Sequence, residues 1–136
     1  MSSSVDERRE AEALILQLAQ KEYRQYGEIE ELTHEIISAM DHDDQVSIRL
    51  LLQMRGNAMA ELEKTRREQK MLLNSGNEWC RRIIERADGS TEKDMTETEK
   101  RIRMLSKGKI EILKRTVELD RKISIKFAGD DSYYSR

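Results

Sequence analysis

The fold can be read first from residues 94–128, DMTETEKRIRMLSKGKIEILKRTVELDRKISIKFA. Steps of three and four residues connect ten positions of this stretch: Met95, Thr98, Ile102, Leu105, Lys109, Ile112, Thr116, Leu119, Ile123 and Phe127. This spacing places mostly apolar side chains on one face of an α-helix. The stretch therefore predicts a long helix, over about residues 91–128, that lies against other helices.

Two further helical patterns precede this one. The first predicts a helix over about residues 5–40, and its inward positions are Ile15, Leu18, Glu22, Tyr26, Ile29, Thr33, Ile36 and Met40. Residues 41–44, Asp-His-Asp-Asp, predict a tight turn, because Asp disfavours helix interiors and caps helix N-termini well. The second helix is expected over about residues 45–87 with a kink near 74–77, where Asn-Ser-Gly-Asn interrupts the pattern. A break there, followed by a short fourth helix, is the alternative.

The third helix is expected to begin with a capping box at Ser90 or Thr91, because Asp88-Gly89 is a typical helix stop. Four glutamate–base pairs spaced by four residues predict a self-supporting exposed face: Glu97–Arg101, Glu99–Arg103, Glu111–Arg115 and Glu118–Lys122. Residues 129–136 are expected to form a short tail. The predicted fold class is all-α, with residues 1–136 as a single helical domain. It is an elongated antiparallel three-helix bundle, or a coiled-coil-like helical hairpin plus a C-terminal amphipathic helix.

The composition and the charge distribution agree with this fold. The chain has no proline, 38% charged residues and few aromatic residues, as is typical of long solvated helices. Residues 1–44 hold 12 acids against 4 bases, whereas residues 100–126 hold 3 acids against 10 bases. In an up-down-up arrangement the first and third helices run parallel, so their opposite charges would attract. The alternative is that the basic stretch is simply a solvated face.

The sequence contains no motif that indicates catalysis. Glu31 and His34 have the Glu-x-x-His spacing of di-iron bundles, but the second such motif is missing. Cys80 lies far from both histidines in the sequence, so a nucleophilic dyad is not expected. We therefore expect no enzyme, no cofactor and no metal site. A small helical enzyme with a pocket near Arg55, Lys64 and Arg66 is the least favoured alternative.

The sequence also predicts the setting in which the chain works. No apolar run approaches the roughly 20 residues that a membrane-spanning helix needs. The single Cys80 and an acidic N-terminus without the features of a signal peptide favour the cytoplasm. Nucleic-acid binding is not expected, because the chain is acidic overall and its bases alternate with Glu and with inward positions. We expect neither nucleic-acid binding nor membrane insertion.

Three stretches resemble a known family. Residues 36–55, IISAMDHDDQVSIRLLLQMR, resemble a helix ending in acids and followed by a Leu-rich helix that ends in Arg. Residues 112–127, ILKRTVELDRKISIKF, resemble the last helix of that family, with its Leu-Asp pair at Leu119-Asp120. Residues 130–134, DDSYY, resemble its short Ser-Tyr endings. The family is that of the small export chaperones of the bacterial flagellum, of the FlgN and FliT type.

The resemblance implies a function in type III flagellar export. Such a chaperone binds helical C-terminal segments of hook-associated or filament-cap subunits, prevents their premature assembly and delivers them to the export gate. By this resemblance the client-binding residues are Ile112, Val117, Leu119, Ile123 and Phe127, and Tyr133 and Tyr134 contact the export apparatus. The alternative is a structural coiled-coil scaffold for homo-oligomerisation without a client. The same face of the last helix would then support a homodimer.

Overall fold

The computed structural model describes residues 4–89 and 91–134, and within them all side chains except those of Glu92 and residues 129–134. Its four α-helices are α1 (Ser4–Asp41), α2 (Gln45–Leu73), α3 (Glu78–Gly89) and α4 (Glu97–Tyr134), with a short 3-10 turn at Glu92–Asp94. No β-strand occurs in the described ranges. The helices pack on one another as a bundle. The expected all-α helical bundle is therefore confirmed.

Helix α1 is the element on which the others assemble. Both α2 and α4 pack along it, and α3 packs against α1 and α4. Six of the predicted inward positions of α1 are buried: Ile15, Leu18, Glu22, Ile29, Thr33 and Ile36. Helices α2 and α4, in contrast, make few direct contacts with each other among the described residues. The two long partners of α1 therefore share a central helix without closing fully against one another.

The turn between α1 and α2 is the tight turn that the Asp-rich sequence predicts. The Asp44 side chain accepts a hydrogen bond from the backbone N–H of Ser47 at 3.1 Å and so caps α2. The preceding Asp43 has a φ of 52°, a left-handed conformation that Asp tolerates better than most residues. The chain reverses direction here, so α2 runs antiparallel to α1.

Three ion pairs join α1 to α4 and define the relative direction and register of the two helices. Lys109 Nζ lies 2.9 Å from Glu22 Oε1, and Arg115 Nε lies 2.7 Å from Glu30 Oε2. Lys126 pairs with Asp41. The partners are separated by 87, 85 and 85 residues, so the two helices run parallel in a constant register. The predicted attraction between the acidic first helix and the basic last helix is confirmed.

The expected continuous helix over residues 45–87 is wrong, because α2 ends at Leu73 and a separate α3 begins at Glu78. Gly76 has a φ of +83°, which a helix cannot accommodate. Asn77 then restarts the chain as a helix, since its side-chain oxygen accepts the N–H of Trp79 at 3.0 Å and that of Cys80 at 3.3 Å. The polar breakers thus separate two helices, which was the alternative left open by the sequence.

The bounds of the last helix also differ from the prediction. Thr96 Oγ1 accepts the N–H of Glu99 at 3.1 Å, and Glu99 accepts the N–H of Thr96 at 2.9 Å. This reciprocal capping box starts α4 at Glu97, about six residues later than expected. Thr91 instead begins the 3-10 turn by bonding to Asp94, and Ser90 lies outside the described residues. At the other end, residues 129–134 continue α4 instead of forming a tail.

Several acids of α4 form ion pairs with bases other than the predicted ones four residues later. Glu99 is fully buried and binds Arg86 of α3 at 2.7 Å, and Glu97 and Glu118 pair at i,i+3 with Lys100 and Arg121. Desolvation by burial raises the pKa of Glu99, but the hydrogen bonds from Thr96 and Arg86 together outweigh it and hold the pKa below its ordinary value. Tertiary packing therefore overrides the predicted pairing at Glu99, whereas Glu97 and Glu118 keep local partners three residues later.

A charge swap tests the parallel packing of α1 and α4. Glu22→Lys or Lys109→Glu alone should lower the free energy of unfolding by roughly 2–4 kcal/mol, because position 22 is buried and either change places two like charges against each other. The double variant should recover about 1–3 kcal/mol of that loss. Urea unfolding followed by circular dichroism measures these values. The exposed pair Glu61–Lys64 is the matched control, and its swap should change little.

A pair of glycine variants tests the break between α2 and α3. Gly76→Ala should destabilise the protein by about 1 kcal/mol, because its φ is positive while an added Cβ meets no atom within 4 Å. Gly27→Ala also meets no atom within 4 Å, but it lies inside α1 and should stabilise by about 0.5–1 kcal/mol. Thermal unfolding shows whether each variant is more or less stable than the unaltered chain. Equal stabilisation by both variants would mean that α2 and α3 form one continuous helix.

Candidate functional site

The five residues expected to bind a client do not form one exposed surface. Ile112, Leu119 and Ile123 are buried, with at most 8% of their surface exposed, because their face of α4 covers the bundle core. Val117 and Phe127 are 51% and 41% exposed. The structure thus separates the set into three core residues and two surface residues. The side chains of Tyr133 and Tyr134 lie outside the described part of the chain.

An ion pair marks where α2 and α4 face each other. Arg55 Nη1 of α2 donates to Asp120 Oδ1 of α4 at 2.5 Å and to Thr33 Oγ1 of α1 at 3.3 Å. Asp120 is 41% exposed, so the pair is accessible from solvent. Because few other contacts join α2 and α4 among the described residues, this pair marks the line along which the two helices lie side by side.

Apolar side chains border the ion pair on both helices. Leu113 and Val117 precede Asp120 by seven and three residues, which places them on the same face of α4. On α2, Leu52 precedes Arg55 by three residues and Met59 follows it by four. Leu113, Val117 and Met59 are 43%, 51% and 42% exposed, and Leu52 is half-buried. We call this surface the furrow, defined by Leu52, Arg55, Met59, Leu113, Val117 and Asp120.

A cavity lies farther along the same two helices, near the end of α2. This end cavity has a volume of about 300 Å³, is partly open to solvent, and is enclosed by all four helices. Its apolar walls include Ile15, Leu18, Leu72, Ile84, Ile102 and Leu105. Lys70 and Leu105 also line it, and they lie 15 residues after Arg55 and 15 residues before Asp120. Because α2 and α4 run antiparallel, the end cavity lies about 22 Å beyond the ion pair along the same two helices.

A few polar groups accompany the apolar walls of the end cavity. The ion pair Glu22–Lys109 forms part of its lining, and Lys70 and Asp88 line it as well. Apolar walls with a small number of charged groups are typical of sites that bury an apolar group and orient a polar one. The furrow and the end cavity therefore combine exposed apolar side chains with charged groups along the same two helices.

The furrow and the end cavity do not include Cys80, Glu31 or His34, the side chains considered above for catalysis or metal binding. Cys80 is fully buried in the cluster with Ala11, Ile15 and Ile83, and burial raises the pKa of its thiol. Glu31 and His34 are exposed on α1. Among the described residues, no group of three or more His, Cys, Asp or Glu side chains could hold a metal ion.

Sequence reasoning did not identify the furrow. The signal was present, since Ile110, Leu113 and Val117 form a second apolar row at i, i+3 and i+7 beside the main one. All three are 43–51% exposed. The main row, from Met95 to Phe127, predicts which face of α4 packs inward. It contains more apolar positions than the neighbouring row, so the neighbouring row was not identified as a separate surface. A search for two adjacent apolar rows on one helix would have found it.

Comparisons with known proteins leave the family open. The chain matches no protein-family model, no curated protein and no solved structure. In the described parts of the chain, no helix combines the length and the apolar character that crossing a membrane requires.

Neighbouring positions on α4 test the distinction between core and surface. Ile112→Asp should lower the free energy of unfolding by at least about 3 kcal/mol, because it places a charge in the core. Leu113→Asp, one residue later, should cost only about 1–2 kcal/mol, because its side chain is already 43% exposed. Denaturant unfolding of both variants measures the difference. Comparable losses would show that α4 is rotated from the orientation described.

Proposed function

We propose that this chain is a small export chaperone of the flagellar type, which holds a helical segment of a hook-associated or filament-cap subunit in the furrow. The proposal combines the resemblance of residues 36–55, 112–127 and 130–134 with the surface between α2 and α4. The held segment would be unable to assemble prematurely and would be delivered to the export gate. In this proposal the protein works in the cytoplasm and is not an enzyme.

One observation carries the proposal: an apolar row on each of two facing helices remains half exposed because both helices pack on α1 and hardly on each other. An amphipathic helix laid between them would bury Met59, Leu113 and Val117 without displacing the core. This is helix-in-groove recognition, in which a few apolar anchors supply most of the affinity. Val117 and Phe127 of the expected client-binding set belong to the exposed part of α4 and remain candidates for this contact.

A permanent scaffold is the second candidate, and a different surface favours it. On α2, Val46, Leu50 and Met54 follow one another at intervals of four residues and are 79%, 56% and 44% exposed. These side chains form one apolar row on α2. A second copy of the chain packed against this row would give a homodimer without a client.

Two matched double variants test these functions. The first replaces Leu113 and Val117 by Ser in the furrow, and the second replaces Val46 and Leu50 by Ser on α2. We expect the unaltered chain to bind purified hook-associated or filament-cap subunits. The furrow variant should lose at least about fivefold in affinity, since two apolar anchors are worth about 1–3 kcal/mol. The α2 variant should bind normally. Isothermal titration calorimetry measures the affinities, and circular dichroism confirms that both variants are folded.

The outcomes separate the two candidates. If the unaltered chain binds none of these axial subunits, the chaperone proposal is wrong. If, in addition, sedimentation shows a dimer at nanomolar concentration that only the α2 variant dissociates, the protein is a scaffold. Loss of subunit binding in the α2 variant alone would place the client site on the other side of α2.

A further inference from the structure

We propose that the end cavity is a preformed binding site for a small, uncharged molecule of one or two rings. This inference goes beyond the proposed function, because none of the six furrow residues lines the end cavity. It is carried by the walls of the end cavity, by the polar contacts that hold those walls apart, by the volume that they enclose and by the charges of the lining residues.

The walls of the end cavity are mostly apolar and come from all four helices. Ile15 and Leu18 of α1 and Ile102 of α4 are buried, with at most 8% of their surface exposed. Leu73, at the end of α2, lines the same space and is 40% exposed. Ordered water in a buried site needs several polar partners, which apolar walls do not supply. The end cavity therefore favours an apolar occupant over water.

Polar contacts between the helices keep the walls of the end cavity apart. Glu22 of α1 and Lys109 of α4 line the cavity and pair at 2.9 Å. Arg103 of α4 donates through Nε, at 2.6 Å, to the backbone oxygen of Ala87 in α3, another lining residue. Closing the space by moving these helices would break such contacts and would leave the buried Glu22 without its cation. A ligand would therefore meet a site that binding does not first have to create.

The volume of the end cavity limits the ligand to one or two rings. A sealed apolar cavity of about 150 Å³ accommodates benzene, and the end cavity measures about 300 Å³ and is partly open to solvent. Ligand pockets range from about 300 to about 1,000 Å³, so the end cavity belongs to the smallest of them. A rigid ring system suits such a space, because it loses little conformational freedom when it is buried.

The charges of the lining residues cancel. Two acids and two bases are the charged side chains among them, namely Glu22, Asp88, Lys70 and Lys109. Glu22 and Lys109 neutralise each other, while Lys70 and Asp88 are exposed and screened by solvent. An anion or a cation would gain no net attraction here and would lose its hydration against apolar walls. The half-buried Ser106 also lines the cavity and offers a hydrogen bond to one polar atom of an uncharged ligand.

Three probes of related shape and different charge test the ligand class. At neutral pH, indole is uncharged, indole-3-acetate is an anion and tryptamine is a cation. Isothermal titration calorimetry with the full chain measures their affinities. We expect a dissociation constant of about 0.1 mM for indole, which is within the affinity that so few atoms can supply. The two charged probes should bind at least about tenfold more weakly, because a charge would have to be desolvated.

Two cavity-filling variants locate the site. Ala19→Leu fills the end cavity from α1 and Ser106→Leu fills it from α4, since both residues line it. Each should weaken indole binding at least about tenfold. Ala13→Leu adds the same atoms to the exposed surface of α1 and is the control, which should bind indole normally. The furrow variant, with Leu113 and Val117 replaced by Ser, should bind it normally as well. Circular dichroism confirms folding, and either filling variant suffices if the other does not fold.

The outcomes decide this inference separately from the proposed function. No binding of indole at millimolar concentration, or equal affinity for all three probes, would overturn the inference. Unchanged binding by the filling variants would also overturn it, because indole would then lie outside the end cavity. Loss of indole binding in the furrow variant would contradict it as well, by placing the probe in the furrow. None of these measurements uses an axial subunit, so the chaperone proposal stands or falls on its own test.

Discussion

The parallel pairing of α4 with α1 is the constraint on which the rest of the structure depends. Glu22, Glu30 and Asp41 on one helix meet Lys109, Arg115 and Lys126 on the other at a nearly constant separation along the chain. Sliding α4 by one turn would break all three contacts and would leave Glu22, which is 5% exposed, without its cation. The apolar rows of both helices favour burial in general, but the ion pairs select one register.

This register determines which side of α1 is available for packing against α2. Because α4 occupies one side of α1, α2 packs on another side, with Ile29 and Leu32 meeting Ala58 and Leu62. The part-exposed Arg55–Asp120 pair joins α2 to α4. An open furrow between two helices is therefore a consequence of one central helix serving two long neighbours.

Helix α3 completes the bundle where α2 ends. Cys80, Ile83 and Ala87 cover Ala11, Ile15 and Ile102, and Arg86 supplies the partner of the buried Glu99. The contacts of α3 are mainly with α1 and α4, and it contacts α2 little. This arrangement leaves the end cavity between the last turns of α2 and the neighbouring helices. A continuous helix over residues 45–87 could not have placed these side chains against α1 and α4 together.

The sequence by itself determined the fold class, the turn at residues 41–44 and the inward faces of α1 and α4, because helical periodicity and capping preferences act locally. It also indicated that α1 and α4 attract each other, because their net charges are opposite. Only the tertiary structure decided where α2 ends, which partner Glu99 takes, and that Leu113 and Val117, in the row beside the buried one, remain exposed. The physical reason is that periodicity identifies the apolar rows of a helix, whereas the positions of its neighbours decide which of two adjacent rows is covered.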